Sequence, residues 1–542
     1  MWSFTISGRF GAAAASDNGI FRRIRGAKEA KKEGKVRSRL EWEFDWIANR
    51  ARLSPYSVAI VHAEDGMNWT FSEVNQRSNA AASWLKKQGI GKGDRIALLA
   101  PNHIVYFDLL FACIKLGAIF VPINWRLASD EMDYILQDCT PKLMGFHSSF
   151  SGLIAKLDYL KLAPITFEID YEGYLDKVPS LDYEVNVTAE DPLAILYTGG
   201  TTGKPKGVVL SHQSIIWNGL NTVLSWNLSN EDTTLTYMPL FHTGGLNALS
   251  IPLLMVGGKV VLASDYHPVE AIDYLNRYQC TIVLLVPTMY HMLINTDEFK
   301  KSCFPTVKIF LSGGAPCALE IYKAFRCRGF LFKEGYGLTE AGPNNFYIDP
   351  NVVDEKLGSV GKPMLFNVIN IIKEDGQAAG PNEVGELVIK GKHVFLNYWN
   401  NQEATKEALS SGWLHTGDLA KKDHDGYYYI VGRKKEMIIT GGENVYPLEV
   451  EHWIAELPQV AEAAVLGLPD PKWGELVAAF IVLKDNVQVT TEEIKAHCAR
   501  KLGKYKVPKK VFFLKQLPKT HVGKIDKKEL KEKHSSSAQK NN

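Results

Sequence analysis

The feature that most constrains the fold is a repeated alternation between helix-periodic stretches and short runs of β-branched or apolar residues. Residues 71–88 have the helical period, and residues 95–99 and 118–122 are strand-like. Further strand-like runs follow at 259–262, 281–286 and 307–312. Strands that alternate with helices form parallel sheets covered by helices. We therefore expect an α/β fold.

The pattern changes twice along the 542 residues, a length that favours two or more domains. Near residue 360 it becomes strand-rich, with runs at 368–372, 385–389 and 427–431, and beyond Gly432 strands and helices start again. We predict a basic N-terminal extension at 1–40, a large N-terminal domain with a β-rich subdomain at 41–432, a boundary at 433–435, a small α+β C-terminal domain at 436–533 and a polar tail at 534–542.

Composition narrows the class of protein. Hydrophobic residues make up 46% and charged residues 23% of the chain, which are ordinary globular values. With 62 Lys and Arg against 60 Asp and Glu, the net charge of +2 gives no global attraction to nucleic acid or to an anionic membrane. The most apolar stretches are interrupted before they reach membrane-spanning length. We expect a small, partly anionic ligand and no integral membrane segment.

Cysteine usage and the N-terminus bear on the compartment. The 7 cysteines are scattered without a CxxC pair, so neither a disulfide framework nor a zinc site is indicated. A reducing, cytoplasmic setting fits best. Residues 1–40 are rich in Gly, Ala, Ser and basic residues, with acids at Asp17, Glu29 and Glu33. An organelle-targeting segment and a disordered basic extension are the two interpretations.

The sharpest local signal is a loop at residues 197–207, which reads YTGGTTGKPKG after the strand-like run 193–196. Glycines let backbone N–H groups approach an anion, and hydroxyls and lysines add donors and positive charge. The residues concerned are Thr198, Gly199, Gly200, Thr201, Thr202, Gly203, Lys204 and Lys206. A Walker A loop would continue into a helix, whereas Pro205 and a strand-like run at 208–210 follow here. Composition leaves a phosphate loop and an ordinary surface loop open.

The complete string resembles the signature of the adenylate-forming acyl-activating superfamily, which includes acyl-CoA synthetases, beetle luciferases and the adenylation domains of nonribosomal peptide synthetases. The resemblance extends over about residues 69–530. Gly199 stands where many members carry Ser, although fatty acyl-CoA synthetases often have Gly there. The resemblance implies a small C-terminal domain that moves against the large one, and a ligase that uses ATP, Mg²⁺ and coenzyme A.

Two further strings imply nucleotide contacts. In GYGLTE, at 335–340, the resemblance places Tyr336 and Gly337 beside adenine, Thr339 at a phosphate and Glu340 as the Mg²⁺ carboxylate. Mg²⁺ favours such a site, with one or two carboxylates and the remaining ligands from phosphate and water. In SGGAP, at 312–316, the small residues Gly314 and Ala315 would separate adenine from the acyl group.

Single residues in other matching strings are assigned roles by the same resemblance. Asp418 in WLHTGDL would accept hydrogen bonds from ribose, and Arg433 would contact ribose and phosphate. His242 in PLFHTGG would face the reacting carboxylate or gate the acyl channel. Lys524 in PKTHVGKI would be the catalytic lysine, its charge meeting the charge that develops at the α-phosphate.

The thioester step implies a second set of residues. Lys435 falls at the pivot of the C-terminal domain. Gly441 and Gly442 resemble the loop that enters the site in the second conformation and lets the pantetheine arm pass close to backbone, and Trp473 resembles a residue of the pantetheine channel. A turn and a packing tryptophan are the plainer interpretations of these residues.

The sequence constrains the identity of the acid less than that of the nucleotide. Gly199 and the apolar setting favour a medium- or long-chain fatty acid, and an aryl acid of the cinnamate or benzoate type is the alternative. An enzyme that loads a carrier protein, a luciferase-like monooxygenase and a non-enzymatic nucleotide sensor share the ATP motifs. Against the oxygenase, Ile439 stands where luciferases carry a lysine. The sequence gives no oligomeric state.

Overall fold

The computed structural model describes residues 44–161, 165–169, 187–199, 204–520 and 524–538. The predicted N-terminal extension at 1–40 lies outside these residues. The described chain forms helix-covered sheets, then a β-rich sheet, then a separate C-terminal sheet. The α/β class, the β-rich subdomain and the α+β C-terminal region predicted from the sequence are confirmed.

The first large sheet has seven strands and is parallel except at one edge. In spatial order its strands are Phe332–Glu334, Ile309–Ser312, Ile282–Leu285, Thr233–Thr236, Lys259–Leu262, Val58–His62 and Asn68–Thr70. Helices of this region include Trp46–Leu53, His212–Trp226, Ile251–Val256, Pro268–Arg277, Pro287–Ile294, Asp297–Lys301 and Leu319–Arg326.

The second large sheet also has seven strands. In spatial order they are Asn397–Tyr398, Lys206–Ser211, Pro192–Thr198, Ile119–Pro122, Arg95–Leu99, Leu143–Phe146 and Ile165–Glu168. The associated helices are Phe71–Lys87, Val105–Leu116, Ser129–Cys139 and Ser151–Ile154. The pairing of Pro192–Thr198 with Lys206–Ser211 is antiparallel, so the glycine-rich loop joins two strands as predicted.

Local chemistry explains where these elements begin and end. The helix Phe71–Lys87 starts after Thr70, whose hydroxyl accepts from the Glu73 N–H while the Glu73 carboxylate accepts from the Thr70 N–H. The helix Val105–Leu116 stops at Gly117, which has a φ of 67°. Such caps are readable from sequence, because they depend on neighbours in the chain.

The β-rich subdomain is an antiparallel sheet. Its strands are Val368–Ile372, Gly385–Lys390, Leu409–Ser410, Trp413–Lys422 and Tyr428–Arg433, with the helix Gln402–Ala408 before the third. A two-stranded ribbon of Phe346–Tyr347 and Lys362–Pro363 precedes it. The predicted boundary at 433–435 falls between this sheet and the next.

The C-terminal sheet is built from Ile438–Thr440, Glu443–Val445, Val460–Asp470, Gly474–Leu483 and Lys510–Phe513. Helices Pro447–Ala455, Thr491–Ala499 and Lys527–Ala538 pack on it. The last helix extends into the predicted polar tail. Its Leu530 side chain is buried, and the centroid of the His534 ring lies 5.0 Å from that of Phe480 and 4.9 Å from that of Phe512. This end of the chain is therefore better packed than its composition indicated.

Within the ranges given above, the structure contains no helix that is both long and apolar enough to span a membrane.

Candidate active site

A cavity of about 1280 Å³ collects most of those predicted site residues that the structure describes. Those that line it are Thr198, Gly199, Lys206, His242, Gly314, Gly337, Thr339, Glu340, Arg433, Lys435 and Lys524. Apolar lining is provided by Trp226, Met238, Phe241, Leu284 and Leu311. Charged and apolar side chains thus line the same cavity.

The hairpin of the second sheet brings the glycine-rich loop to this cavity. Thr198 is paired with Lys206 across the two strands, and both residues line the cavity with Gly199. The Lys204 ammonium lies 5.5 Å from the Tyr134 ring centroid and does not line the cavity. The predicted contacts Gly200, Thr201, Thr202 and Gly203 lie outside the described residues.

Glu340 is held by a residue that the sequence analysis did not identify. The Tyr398 hydroxyl donates to the Glu340 carboxylate at 2.7 Å, and the Lys206 ammonium lies 5.1 Å from the centre of the same tyrosine ring. Tyr398 also lines the cavity. It belongs to the edge strand Asn397–Tyr398, far from Glu340 in sequence, so only the tertiary fold joins them.

A polar triad, of which Asp418 is the buried member, lies beside the cavity. The Tyr336 hydroxyl donates to Asp418 Oδ2 at 2.6 Å, and Arg433 Nε lies 2.5 Å from Asp418 Oδ1. Burial raises the pKa of Asp418, and the Arg433 guanidinium acts against that rise. Strand pairing places Asp418 directly opposite Arg433. Tyr336 and Asp418 do not themselves line the cavity, whereas Arg433 does.

Lys524 approaches the same groups from the C-terminal region. It follows Thr520, whose N–H donates to the Lys524 carbonyl at 2.7 Å, and its side chain lines the cavity while still reached by solvent. Burial and the Arg433 charge lower the pKa of Lys524, while Asp418 and Glu340 act in the opposite sense. The structure therefore joins residues from both ends of the predicted site.

His242 precedes a short helix whose hydrogen bonding changes along its length. Residues Leu246–Ser250, between Thr243–Gly245 and Ile251–Val256, are π-helical, a feature common at functional sites. His242 Nδ1 accepts from the Gly244 N–H at 3.1 Å. Burial, with a contribution from Lys524, lowers the pKa of His242 to about 4, so the ring is neutral at physiological pH.

Some predicted residues lie away from the cavity. Ala315 is not among its lining residues, although its neighbour Gly314 is. Gly441 and Trp473 contact each other instead: the Gly441 N–H donates to the Trp473 carbonyl at 2.9 Å, and neither residue lines the cavity. Gly442, with a φ of 87°, is also outside it. Of the residues predicted for the thioester step, Gly441, Gly442 and Trp473 thus lie off the cavity, whereas Lys435 lines it.

The residues present fit a magnesium ion carried by a nucleotide. Across the part of the chain that the structure describes, no group of three or more His, Cys, Asp or Glu is placed to hold a metal by itself. Glu340, beside Thr339 on the cavity wall, offers one carboxylate. That suffices where phosphate oxygens and water supply the other ligands of Mg²⁺.

Comparison with known proteins decides the family. The family model described as AMP-binding enzyme matches residues 47–399, and the model for the AMP-binding enzyme C-terminal domain matches residues 449–524. The chain belongs to the AMP-binding enzyme family. The relatives align with about nine-tenths of the chain. Feruloyl-CoA synthase from an Amycolatopsis species is 37% identical over 486 residues, which cover 90% of this chain and 98% of that protein.

Two further relatives widen the comparison. The long-chain-fatty-acid–CoA ligase FadD13 of Mycobacterium tuberculosis is 34% identical over 500 residues, covering 91% of this chain and 99% of its own. The solved structure of o-succinylbenzoate coenzyme A synthetase from Bacillus subtilis, in complex with ATP and a magnesium ion, superimposes with a TM-score of 0.80 at 31% identity, covering 89% and 98% of the two chains. This AMP-binding enzyme is an AMP-forming acid–CoA ligase, and its co-substrates are ATP with Mg²⁺ and coenzyme A.

Proposed function

We propose that this acid–CoA ligase activates an apolar aryl carboxylic acid, first as the acyl-AMP with release of pyrophosphate and then as the CoA thioester. The observation that carries the choice of acid is the apolar side of the cavity. It is lined by Met238, Phe241, Leu284 and Leu311, together with Trp226. Aromatic and aliphatic walls of this kind favour a flat, apolar body.

Trp226 is backed by a buried amine, which limits how far an acid can extend. The Lys333 ammonium lies 4.6 Å from the Trp226 ring and 4.4 Å from the Tyr347 ring, and Lys333 does not line the cavity. Burial lowers the pKa of Lys333 to about 7. A long alkyl chain would have to displace Trp226 and then meet this polar group, whereas an aromatic ring can stop against the indole.

The similarity to feruloyl-CoA synthase supports the same class of acid. A fatty acid, favoured by Gly199 in the sequence, stays the second candidate because of the similarity to the M. tuberculosis fatty-acid ligase. The position of Trp226 supports the proposal of an aryl acid over a fatty acid. The acceptor proposed is free coenzyme A, as the names of these relatives indicate.

The proposed nucleotide site uses the charged lining. Thr198, Gly199, Lys206 and the rest of the loop would bind the phosphates, and Tyr336 and Gly337 would contact adenine. Asp418, held by Arg433 at 2.5 Å, would accept from the ribose hydroxyls. Glu340 would hold Mg²⁺, which supplies positive charge to the phosphates.

The first chemical step would be attack of the carboxylate on the α-phosphate, which forms the C–O–P bond and releases pyrophosphate. Lys524 and Arg433, which both line the cavity, would stabilise the charge that develops. Neutral His242 would orient the acid without adding a third cation to Lys524 and Arg433. No nucleophilic side chain is needed, because positioning and charge stabilisation account for the step.

The second step would need a different arrangement of the C-terminal region. Gly441, Gly442 and Trp473 lie off the cavity while Lys524 lines it, which supports assigning this structure to the adenylation arrangement. Rotation about Lys435 would withdraw Lys524 and bring the glycine loop in for attack by the CoA thiol. AMP would then leave as the thioester forms.

Substrate profiling tests the choice of acid. With wild-type enzyme, kcat/KM for pyrophosphate release is expected to be higher for hydroxycinnamates than for saturated fatty acids. Trp226→Ala should shift the preference toward longer acids, and Trp413→Ala is the matched control, because it removes an indole that does not line the cavity. A wild-type preference for long-chain fatty acids would refute the aryl assignment and leave the ligase class intact.

A further inference from the structure

An apolar surface lies outside the cavity, on the helix His212–Trp226 and the loop before strand Val368–Ile372. On the helix, Leu220 and Leu224 are one turn apart and exposed, at 37% and 50%. On the loop, Leu365 is 67% and Phe366 44% exposed, and Val368, the first residue of the strand, is 55% exposed. We call these five residues the apolar surface. Exposed apolar patches mark interaction sites more often than isolated apolar residues do.

The two parts of the apolar surface are fixed to each other. The Leu365 N–H donates to Ser225 Oγ, and the Phe366 N–H to Asn221 Oδ1, both at 3.2 Å. The Trp217 and Phe366 rings pack edge to face, with centroids 5.3 Å apart.

Buried amides hold the loop from beneath. Asn367 is buried, accepts from Asn221 Nδ2 and donates to the Asn345 carbonyl at 3.0 Å. The loop is therefore held with its apolar side chains outward, and binding through it costs little ordering of the chain.

Within the segments that carry the apolar surface, every Asp, Glu, Lys or Arg residue is a lysine. Val368 is paired directly with Lys390 across the antiparallel sheet, so their side chains share a face. The Lys392 ammonium lies 4.6 Å from the Trp217 ring centroid. The segments 212–228, 359–372 and 388–396, which form this face, contain lysines and neither Asp nor Glu. This local excess contrasts with the nearly balanced charge of the whole chain.

From this arrangement we propose that the apolar surface, with Lys390 and Lys392, docks the enzyme on an anionic phospholipid surface. Apolar side chains that enter the interface and lysines that contact anionic headgroups act together in such binding. A second copy of the chain fits less well. In a two-fold contact the surface would meet itself and bring like charges together without an acid to pair them. Docking would place the ligase where an apolar acid concentrates.

Co-sedimentation of the full-length protein with vesicles tests the proposal. The wild-type chain is expected to bind mixed phosphatidylcholine–phosphatidylserine vesicles, to bind phosphatidylcholine vesicles more weakly, and to be released by added salt. The double variant Leu365→Asp with Phe366→Asp should lose binding. Lys390→Ala with Lys392→Ala should lower affinity for the anionic vesicles by roughly five-fold per lysine, while leaving the apolar side chains in place.

Leu53→Asp is the matched control, because Leu53 is about as exposed as Leu365 but lies on the helix Trp46–Leu53, which is no part of the apolar surface; it should bind as wild type. Absence of wild-type binding, or wild-type binding by the Leu365 and Lys390 variants, would overturn the proposal. A wild-type dimer in light scattering that Phe366→Asp converts to a monomer would assign the surface to a second copy instead. Pyrophosphate release with a dissolved acid should be unchanged in all variants, so failure of docking leaves the proposed function standing.

Discussion

At the residue scale, the site is an arrangement of cations around a few carboxylates. The Arg433 guanidinium forms an ion pair with the Asp418 carboxylate, whereas the Lys524 side chain lines the cavity and is accessible to solvent. Burial and the Arg433 charge lower the pKa of Lys524, so an anion placed between the two cations would be strongly favoured. The proposed phosphate of ATP is such an anion.

Replacing Lys524 should separate the two chemical steps. In Lys524→Ala, acyl-AMP formation is expected to fall by about 10²-fold or more, as for loss of one partner of the transition-state charge. Thiolysis of supplied acyl-AMP should persist, because Lys524 is proposed to leave the cavity for that step. Pyrophosphate release and thioester formation measure the two steps. Lys528→Ala, on the exposed side of the last helix, is the control, and equal loss of both steps would contradict the two arrangements.

We expect the Tyr398 hydroxyl to affect the affinity for the metal ion and not the affinity for the acid. Tyr398→Phe removes the hydroxyl that donates to Glu340 at 2.7 Å and keeps the ring near Lys206. Loss of such support for a metal-binding carboxylate is expected to weaken Mn²⁺ binding with a non-hydrolysable ATP analogue by about ten-fold or more. Electron paramagnetic resonance measures this directly.

The KM for the acid should stay constant in this variant. Tyr56→Phe, at a 90% exposed position, is the control. Unchanged Mn²⁺ affinity in Tyr398→Phe would show that the hydroxyl does not position Glu340.

At the scale of elements, the turn after strand Phe332–Glu334 depends on close backbone packing. A Cβ at Gly337 would lie 2.1 Å from the Pro343 carbonyl oxygen, whereas one at Gly335 would meet nothing nearer than the Ser312 carbonyl at 3.9 Å. Gly337→Ala is therefore expected to destabilise the protein by about 1–3 kcal/mol, as overpacking does. Gly335→Ala is the matched control. Urea unfolding measures both, and equal midpoints would contradict the packing account.

Elements of this fold are largely predictable because their signals are local. The strand runs at 95–99, 259–262 and 368–372 coincide with observed strands, and the helix predicted at 71–88 is observed as Phe71–Lys87. Capping by Thr70 and Glu73 is also encoded within a few residues. The hairpin around the glycine-rich loop follows from Pro205 and the run at 208–210.

Contacts between distant segments were not predictable. Tyr398 meets Glu340 only through an edge strand of the second sheet, and nothing near Tyr398 in sequence marks it. The hydrogen bond from the Tyr336 hydroxyl to the Asp418 carboxylate likewise joins two sequence motifs that lie far apart in the chain. His534, in a stretch of polar residues, packs on Phe480 because it lies within the helix Lys527–Ala538, which packs on the C-terminal sheet. These arrangements depend on tertiary packing, which a single sequence does not display.

At the scale of the whole molecule, buried histidines make stability depend on pH. His212 and His393 are both buried, and burial lowers the pKa of each to about 4. Both are neutral in the folded chain, while the unfolded chain gains protons near the ordinary histidine pKa of about 6.5. Stability should therefore fall as the pH drops from about 6.5 to about 4, by on the order of 2–3 kcal/mol per histidine.

Urea unfolding at a series of pH values measures this slope. His212→Leu removes one titrating group and should flatten the fall, whereas His291→Leu, at an exposed position, should keep the wild-type slope. Parallel curves for His212→Leu and wild type would show that this ring does not contribute.

The central claim is that residues from both the N-terminal and the C-terminal regions join an organic acid to AMP and then pass it to coenzyme A. Its most direct test is pyrophosphate release by the full-length protein with Mg·ATP and a panel of aryl and fatty acids, with thioester formation followed on addition of CoA. The account predicts acid-dependent pyrophosphate release and a thioester that appears only with CoA. Absence of pyrophosphate with every acid, or acyl-AMP that CoA never consumes, would contradict it.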